Sequence, residues 1–205
     1  NNINIENKKV LILGTGGTSK TAYVLSKDLN AKEILKVSRR KTDNCITYEE
    51  ALENHNDANI IINTTPCGMY PNDDLVINLD SFAKLEAVVD VIYNPLNTKL
   101  ARIAKGKNIK AVNGLYMLVA QAVYASCIFR DVEIEQTVIN EIYTKIRREK
   151  DYKKLAQQVY QLIREIIGKD MSENGQFNKE GLKKLMCALE IQYDDKTVEQ
   201  MIECI

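Results

Sequence analysis

Closely spaced glycines follow the first apolar segment of the chain. Residues 9–13 are a short apolar run that predicts a buried parallel strand, and Gly14, Gly16 and Gly17 come directly after it. Helical spacing then extends over residues 18–29. A Gly-x-Gly motif between a strand and a helix predicts a nucleotide site. Gly14 permits the tight turn, Gly16 allows the backbone to approach a pyrophosphate, and the helix start offers unpaired N–H groups.

The third small position of this glycine motif departs from the usual pattern. Ser19 stands where Gly or Ala is expected, so the match is incomplete. The alternative interpretation is an ordinary strand-to-helix turn that binds nothing.

A basic segment follows the second predicted strand. That strand covers residues 33–38 and ends in Ser38, which is followed by Arg39, Arg40 and Lys41. An NAD-preferring fold places an acidic residue here to bind the ribose 2′-hydroxyl. A serine hydroxyl and cationic side chains suit a 2′-phosphate instead. The segment therefore favours NADP over NAD, and a solvated basic turn is the alternative.

Further strands and helices alternate over the first two thirds of the chain. Apolar runs predict strands at 59–63, 87–93 and 109–112, and helices are predicted at 47–55 (with Thr47 as a cap), 97–105, 113–129 and from 131 or 133 to 148. This alternation predicts an α/β fold, a Rossmann-like doubly wound parallel sheet with helices on both faces over residues 1–149. The polar segment 64–71 follows a strand end, where ligands bind in such sheets.

The composition excludes several classes of partner. Among 205 residues, 28 basic and 28 acidic side chains are interspersed, so charge gives no case for binding nucleic acid or an anionic membrane. No apolar run approaches the ~20 residues of a membrane span. Five scattered cysteines without a Cys-x-x-Cys pair predict reduced thiols in a cytoplasmic protein, with no metal site. Because the chain opens without methionine, we expect that an upstream portion has been removed.

Five segments, in order, resemble the cofactor-binding half of the shikimate dehydrogenase family over residues 9–148. Residues 13–19 resemble its glycine loop, and 38–40 stand in the place of its Asn-Arg-Thr motif for the NADP 2′-phosphate. Residues 63–69 resemble its Asn-Thr-Thr-Pro-x-Gly-Met segment, and 90–95 its Asp-x-x-Tyr-x-Pro block. Residues 113–122 resemble its Gly-Leu-Gly-Met-Leu-Val-x-Gln helix start.

The resemblance implies which residues bind the cofactor and the substrate. NADP would be held by Gly14, Thr15, Gly16, Gly17, Thr18, Ser38, Arg39, Arg40, Lys41, Thr64, Thr65, Pro66, Val91, Tyr93, Gly114 and Met117. Tyr93 would also lie beside the substrate, 3-dehydroshikimate or shikimate, and Gln121 would reach a substrate hydroxyl. Two residues depart from the family pattern: Ser38 replaces an Asn, and Tyr116 replaces a Gly near the nicotinamide, where its ring could reposition the cofactor.

The family's proton-transfer pair, a lysine and an aspartate, lies in a preceding substrate-binding domain. No lysine of this chain can be assigned that role, so the resemblance implies no catalytic residue here. We therefore expect this chain alone to bind NADP weakly at best and not to turn over.

The resemblance stops near residue 150, and residues 150–205 are predicted to form a helical extension. Within it, 170–202 weakly resemble a degenerate EF-hand, with Asp170, Ser172 and Asn174 at ligand positions and Gly175 at the sharp turn. The twelfth loop position is Gly181 instead of a bidentate Glu. This favours a structural loop over a calcium site.

The leading hypothesis is thus the NADP-binding portion of a shikimate dehydrogenase, which reduces 3-dehydroshikimate to shikimate in aromatic amino-acid biosynthesis. A quinate/shikimate dehydrogenase is a close alternative. A non-catalytic nucleotide-binding or scaffold module, with the helical extension as its interaction element, is an alternative from another class. A homodimer is one possible use of the extension's apolar faces.

Overall fold

Six parallel strands form one sheet in the computed structural model, which describes residues 3–42, 44–130 and 135–148. The strands are β1 (Lys9–Leu13), β2 (Glu33–Ser38), β3 (Ile46–Thr47), β4 (Ile60–Asn63), β5 (Ala87–Asp90) and β6 (Lys110–Val112). Their order across the sheet is β3-β2-β1-β4-β5-β6. The chain moves outward from β1 to β3, then returns to the other side of β1, so the sheet is doubly wound as predicted.

Helices connect these strands. They are α1 (Gly17–Asp28), α2 (Tyr48–Asn54), α3 (Lys99–Gly106), α4 (Leu115–Arg130) and α5 (Gln136–Arg148), with a short 3₁₀ turn at Leu79–Ser81. None of the described helices is long and apolar enough to cross a membrane.

Apolar side chains cover both faces of the sheet. On one face, Leu11 and Ile61 pack in a cluster with Ala51 of α2 and Leu100 of α3. On the other face, neighbouring residues of the same strands cluster with Ala22 of α1. Because successive strand residues point to opposite faces, the apolar runs of β1 and β4 supply both cores. This confirms the predicted α/β fold with helices on both faces.

Most element boundaries lie within two residues of their predicted positions, and two elements differ more. The predicted strand 87–93 ends at Asp90, whose Oδ1 accepts a hydrogen bond from the N–H of Ile92 at 3.2 Å. This turn takes the chain out of the sheet. The two-residue strand β3, which pairs with the end of β2, was not predicted because so short a segment has no readable period.

The chain divides into two compact units, Asn1–Leu115 and Tyr116–Ile205. The sheet lies in the first unit. In the second, the rings of Tyr116 and Tyr143 meet edge to face at 5.2 Å and join α4 to α5. The predicted helical extension 150–205 and its EF-hand-like segment lie outside the described residues, as does the predicted start of α5 at 131 or 133.

Candidate nucleotide-binding site

The carboxyl ends of four strands lie side by side in the first unit. Leu13 of β1 pairs with Val37 of β2 on one side and with Asn63 of β4 on the other. Asn63 pairs in turn with Asp90 of β5. The connections reverse direction between β1 and β4, which is where ligands bind in open α/β sheets. The glycine loop therefore lies between the basic segment and the segments that follow β4 and β5.

Gly14 is required by both its conformation and its surroundings. Its φ of +107° lies in a region that favours glycine, and an added Cβ would stand 2.9 Å from Thr64 Oγ1 and 3.0 Å from Thr65 Cγ2. Its N–H donates to the carbonyl of Val37 at 2.8 Å. This explains the predicted tight turn between β1 and α1.

Thr64 fastens the glycine loop to the end of β4. Its backbone N–H and its hydroxyl both donate to the carbonyl of Leu13, at 2.9 and 2.6 Å. The hydroxyl proton is thus used to hold the loop backbone, while the hydroxyl oxygen can still accept a hydrogen bond.

The start of α1 is open to solvent. Thr15, Gly16 and Gly17 are exposed, and a Cβ added at Gly16 would meet no atom within 4 Å. The first turn of the helix contains no acidic residue, and Gly16, at its N-cap, has no side chain to cap it. A helix N-terminus without such groups attracts anions. The open space above Gly16 fits an approaching phosphate.

Ser19 and Thr18 follow this opening. Ser19 is fully buried, and its hydroxyl donates to the carbonyl of Gly16 at 2.7 Å. The serine at the third small position therefore packs as a small residue while it secures the turn. Thr18 is half-buried at the beginning of the helix.

The basic segment forms a local turn after β2. The hydroxyl of Ser38 hydrogen-bonds to the carbonyl of Arg40 and accepts from the Arg40 N–H at 3.2 Å. Arg39 and Arg40 are exposed, and none of residues 3–42, 44–130 and 135–148 forms an ion pair with either of them. Both guanidinium groups are thus available to an anion beside the glycine loop.

Lys41 differs from these two arginines because its ammonium forms an ion pair with Glu50. Glu50 also accepts from the N–H of Thr47 at 2.9 Å, while Thr47 Oγ1 accepts from the Glu50 N–H at 3.1 Å. This reciprocal capping box starts α2 and confirms Thr47 as the predicted cap. The hydrogen bond from Lys41 is the main reason that the pKa of Glu50 is lowered.

A buried polar network, which the sequence reasoning missed, joins the ends of β4 and β5. Asn63 and Asp90 are fully buried, and Asn63 Nδ2 donates to Asp90 Oδ1 at 3.0 Å. Thr98, the cap of α3, donates its hydroxyl to Asp90 Oδ2 at 2.6 Å. Asn63 Oδ1 accepts from both the N–H and the hydroxyl of Thr65. Polar residues at the ends of two apolar strands were the available signal.

Val91 and Gly114 are in close contact in the first unit, and Tyr93 lies two residues after Val91. An added Cβ at Gly114 would stand 1.8 Å from the carbonyl oxygen of Val91, so only glycine fits there. The N–H of Gly114 donates to the carbonyl of Ile92 at 3.0 Å. Tyr93 is half-buried, and burial raises its pKa, so the phenol remains neutral at neutral pH. Pro66, after β4, is exposed.

The remaining predicted residues, Met117 and Gln121, lie in the second unit. Both are exposed, and they lie one helical turn apart on α4. Tyr116, which departs from the family pattern, is held by α5: its hydroxyl donates to Asn140 at 3.1 Å and accepts from Gln136. Among the described residues, no group of acidic, histidine or cysteine side chains forms a metal site.

Comparisons with known proteins agree on one relationship. The chain is 37% identical over 156 residues to the NADP(+) shikimate dehydrogenase of Clostridium perfringens strain 13, a match that covers 71% of this chain and 57% of that protein. A solved structure, shikimate dehydrogenase 1 from Peptoclostridium difficile, has a TM-score of 0.65 at 33% identity and is matched over 72% of this chain and 57% of its own. The matched part of the chain is similar in sequence and in structure to shikimate dehydrogenases.

A second solved member of the shikimate dehydrogenase family gives the same result. The chorismate mutase/shikimate 5-dehydrogenase fusion protein from Clostridium acetobutylicum has a TM-score of 0.66 at 34% identity, over 71% of this chain and 56% of its own. No family model matches the sequence. The chain spans about 57% of the length of the curated relative it matches. This similarity supports the resemblance noted from the five segments.

Proposed function

We propose that this chain is the NADP-binding portion of a shikimate dehydrogenase, which reduces 3-dehydroshikimate to shikimate in aromatic amino-acid biosynthesis. The glycine loop between Arg39–Arg40 and the Thr64–Thr65 segment is the observation that carries the proposal. The name of the Clostridium perfringens relative, an NADP(+) enzyme, supports the choice of cofactor.

Two parts of the first unit hold the phosphates of the dinucleotide. The open N-terminus of α1, at Gly16 and Gly17, receives the pyrophosphate between its backbone N–H groups. The exposed guanidinium groups of Arg39 and Arg40 pair with the 2′-phosphate and can stack on the adenine. Ser38 shapes this turn through its bonds to Arg40.

The segments after β4 and β5 orient the reactive end of the cofactor. When bound, NADPH supplies a hydride to the substrate ketone. Thr65, which is hydrogen-bonded to Asn63, and Val91, which is in close contact with Gly114, are the proposed contacts for this part of the cofactor. The neutral phenol of Tyr93 is suited to contact the nicotinamide and to donate to a substrate oxygen. Met117 and Gln121 complete the proposed set of binding residues on α4.

The proposal extends to partners and location. Shikimate and 3-dehydroshikimate are the proposed substrate pair, and a homodimer is the proposed assembly. Cys45 and Cys67 form no disulfide with any described residue, which supports a reducing, cytoplasmic location.

Nucleotide titrations test the proposed function directly. NADPH and NADH are titrated into the full chain, and the change in reduced-nicotinamide fluorescence gives both dissociation constants. We expect NADPH to bind at least about tenfold more tightly, since each arginine–phosphate pair contributes a charge-assisted bond. In the double variant Arg39→Ala/Arg40→Ala, NADPH affinity falls more than NADH affinity does, so the preference is lost. Equal affinity for the two nucleotides in the unaltered chain, or no binding of either even at the highest nucleotide concentrations, contradicts the proposal.

A further inference from the structure

A carboxylate of α2, that of Glu50, contacts the basic segment that follows β2. Glu50 is held on two sides: one carboxylate oxygen accepts from the N–H of Thr47 at 2.9 Å, and the other is bonded to the Lys41 ammonium. Its side chain is 28% exposed, while that of Lys41 is 68% exposed. The capping box thus fixes the position of the Glu50 carboxylate, and the more exposed Lys41 side chain forms its ion pair with this fixed group.

The ion pair leaves the three cations of the segment unequal. Arg39 and Arg40 form no ion pair with any described residue, whereas the charge of Lys41 is already neutralised by Glu50. An anion at the segment meets two free guanidinium groups and one occupied ammonium.

We propose that Glu50 is a specificity-determining residue of the nucleotide site, which occupies Lys41 and thereby moderates the preference for a 2′-phosphate over a 2′-hydroxyl. The inference rests on the proposed NADP-binding function. A 2′-phosphate must displace the carboxylate to engage Lys41, whereas a 2′-hydroxyl needs no such exchange. Binding of NADPH therefore includes the loss of the Lys41–Glu50 pair, and binding of NADH does not.

The substitution Glu50→Gln separates the effect of the Glu50 charge from its role as a hydrogen-bond acceptor in the capping box. A glutamine at this position still accepts from the N–H of Thr47, so the capping box and α2 are kept. The ion pair with Lys41 is lost, since the amide carries no charge. Glu49→Gln is the matched control. Glu49 is exposed and precedes Glu50 in the same helix turn, and its replacement by glutamine removes the same unit of charge.

The test is a fluorescence titration of NADPH and NADH into the unaltered 205-residue chain and both variants. For Glu50→Gln we expect NADPH to bind about fivefold more tightly, which corresponds to the loss of one exposed ion pair, with NADH affinity changed by less than about twofold. Glu49→Gln changes both affinities by less than about twofold. In a Lys41→Met background, the gain from Glu50→Gln disappears.

The outcomes distinguish the inference from the function on which it rests. The inference alone is overturned if Glu50→Gln leaves NADPH affinity unchanged or weakens it. It is also overturned if Glu50→Gln raises NADPH affinity no more than Glu49→Gln does. A gain that persists in the Lys41→Met background overturns it as well, because the effect then does not pass through Lys41. Absence of NADPH binding in every protein overturns the proposed function and the inference with it.

Discussion

The glycines of the site meet different physical demands. Gly14 and Gly114 are required by the fold, because each is in close contact with the segments that follow β4 or β5. Gly16 is different, since nothing lies within 4 Å of the place where its Cβ would be. Glycine at this position keeps the space above the loop open, and the packing of the protein does not require it.

This difference predicts a separation of binding from stability. We expect Gly16→Ala to change the free energy of unfolding by about 1 kcal/mol or less, because the added methyl meets no atom at this helix N-cap. NADPH affinity falls by at least about tenfold, because the methyl occupies the space of the proposed pyrophosphate. Urea unfolding and fluorescence titration measure the two effects.

Gly106→Ala is the control for that experiment. Gly106 ends α3, and an added Cβ there also meets nothing within 4 Å. Alanine is a better helix former, so the change leaves NADPH affinity unaltered and stability unchanged or slightly raised. If Gly16→Ala binds NADPH as the unaltered chain does, the pyrophosphate is not at this loop.

At the level of whole elements, the site depends on a buried carboxyl. Asp90 accepts bonds from Asn63, Ile92 and Thr98, and so connects the ends of β4 and β5 to the start of α3. Burial nevertheless raises the pKa of Asp90 above its ordinary value of 3.8, because three neutral donors only partly replace water. The network thus orders β4, β5 and α3, although burial makes the ionised form of Asp90 less favourable.

The substitution Asp90→Asn tests the raised pKa of Asp90 through the pH dependence of stability. Since the pKa of Asp90 is raised on folding, its contribution to stability is fully present at pH values below 3.8 and is lost as pH rises through the raised value. Asparagine does not ionise. We therefore expect the stability of the unaltered chain, relative to Asp90→Asn, to decrease as pH is raised from below 3.8 to neutrality. Urea unfolding at a series of pH values measures it, and parallel curves would contradict the prediction.

At the scale of the whole molecule, net charge contributes nothing to the attraction of a nucleotide, so any such attraction must come from local charges. The 28 basic and 28 acidic residues cancel, so no net charge draws an anion to the protein. The exposed Arg39 and Arg40 provide the positive charge where it is proposed to be needed. Because these groups are in contact with solvent, salt screens them.

Salt is therefore expected to act on one nucleotide more than on the other. Raising NaCl from about 0.01 M, where the Debye length is about 30 Å, to about 1 M, where it is about 3 Å, lowers the NADPH-to-NADH affinity ratio by at least about threefold. The pyrophosphate is common to both nucleotides, so the ratio isolates the 2′-phosphate. Fluorescence titrations at four salt concentrations measure it, and equal slopes for both nucleotides contradict a 2′-phosphate site at the basic segment.

The sequence by itself determined the local features of this protein. Apolar runs identified β1, β2 and β4, the glycines identified the turn after β1, and Thr47 identified the start of α2, because each signal lies within a few consecutive residues. The order of the five family segments, also legible in the chain, led to the shikimate dehydrogenase family that the relatives support.

Only the tertiary structure decided which of these features meet. Asn63 and Asp90 are 27 residues apart, and Thr64 and Leu13 are 51 apart, so their hydrogen bonds depend on strand register and not on local pattern. The ion pair of Lys41 with Glu50 likewise requires the turn that brings β2 and α2 together. Residue types state what a side chain can do, but its partners are set by the packing of distant segments.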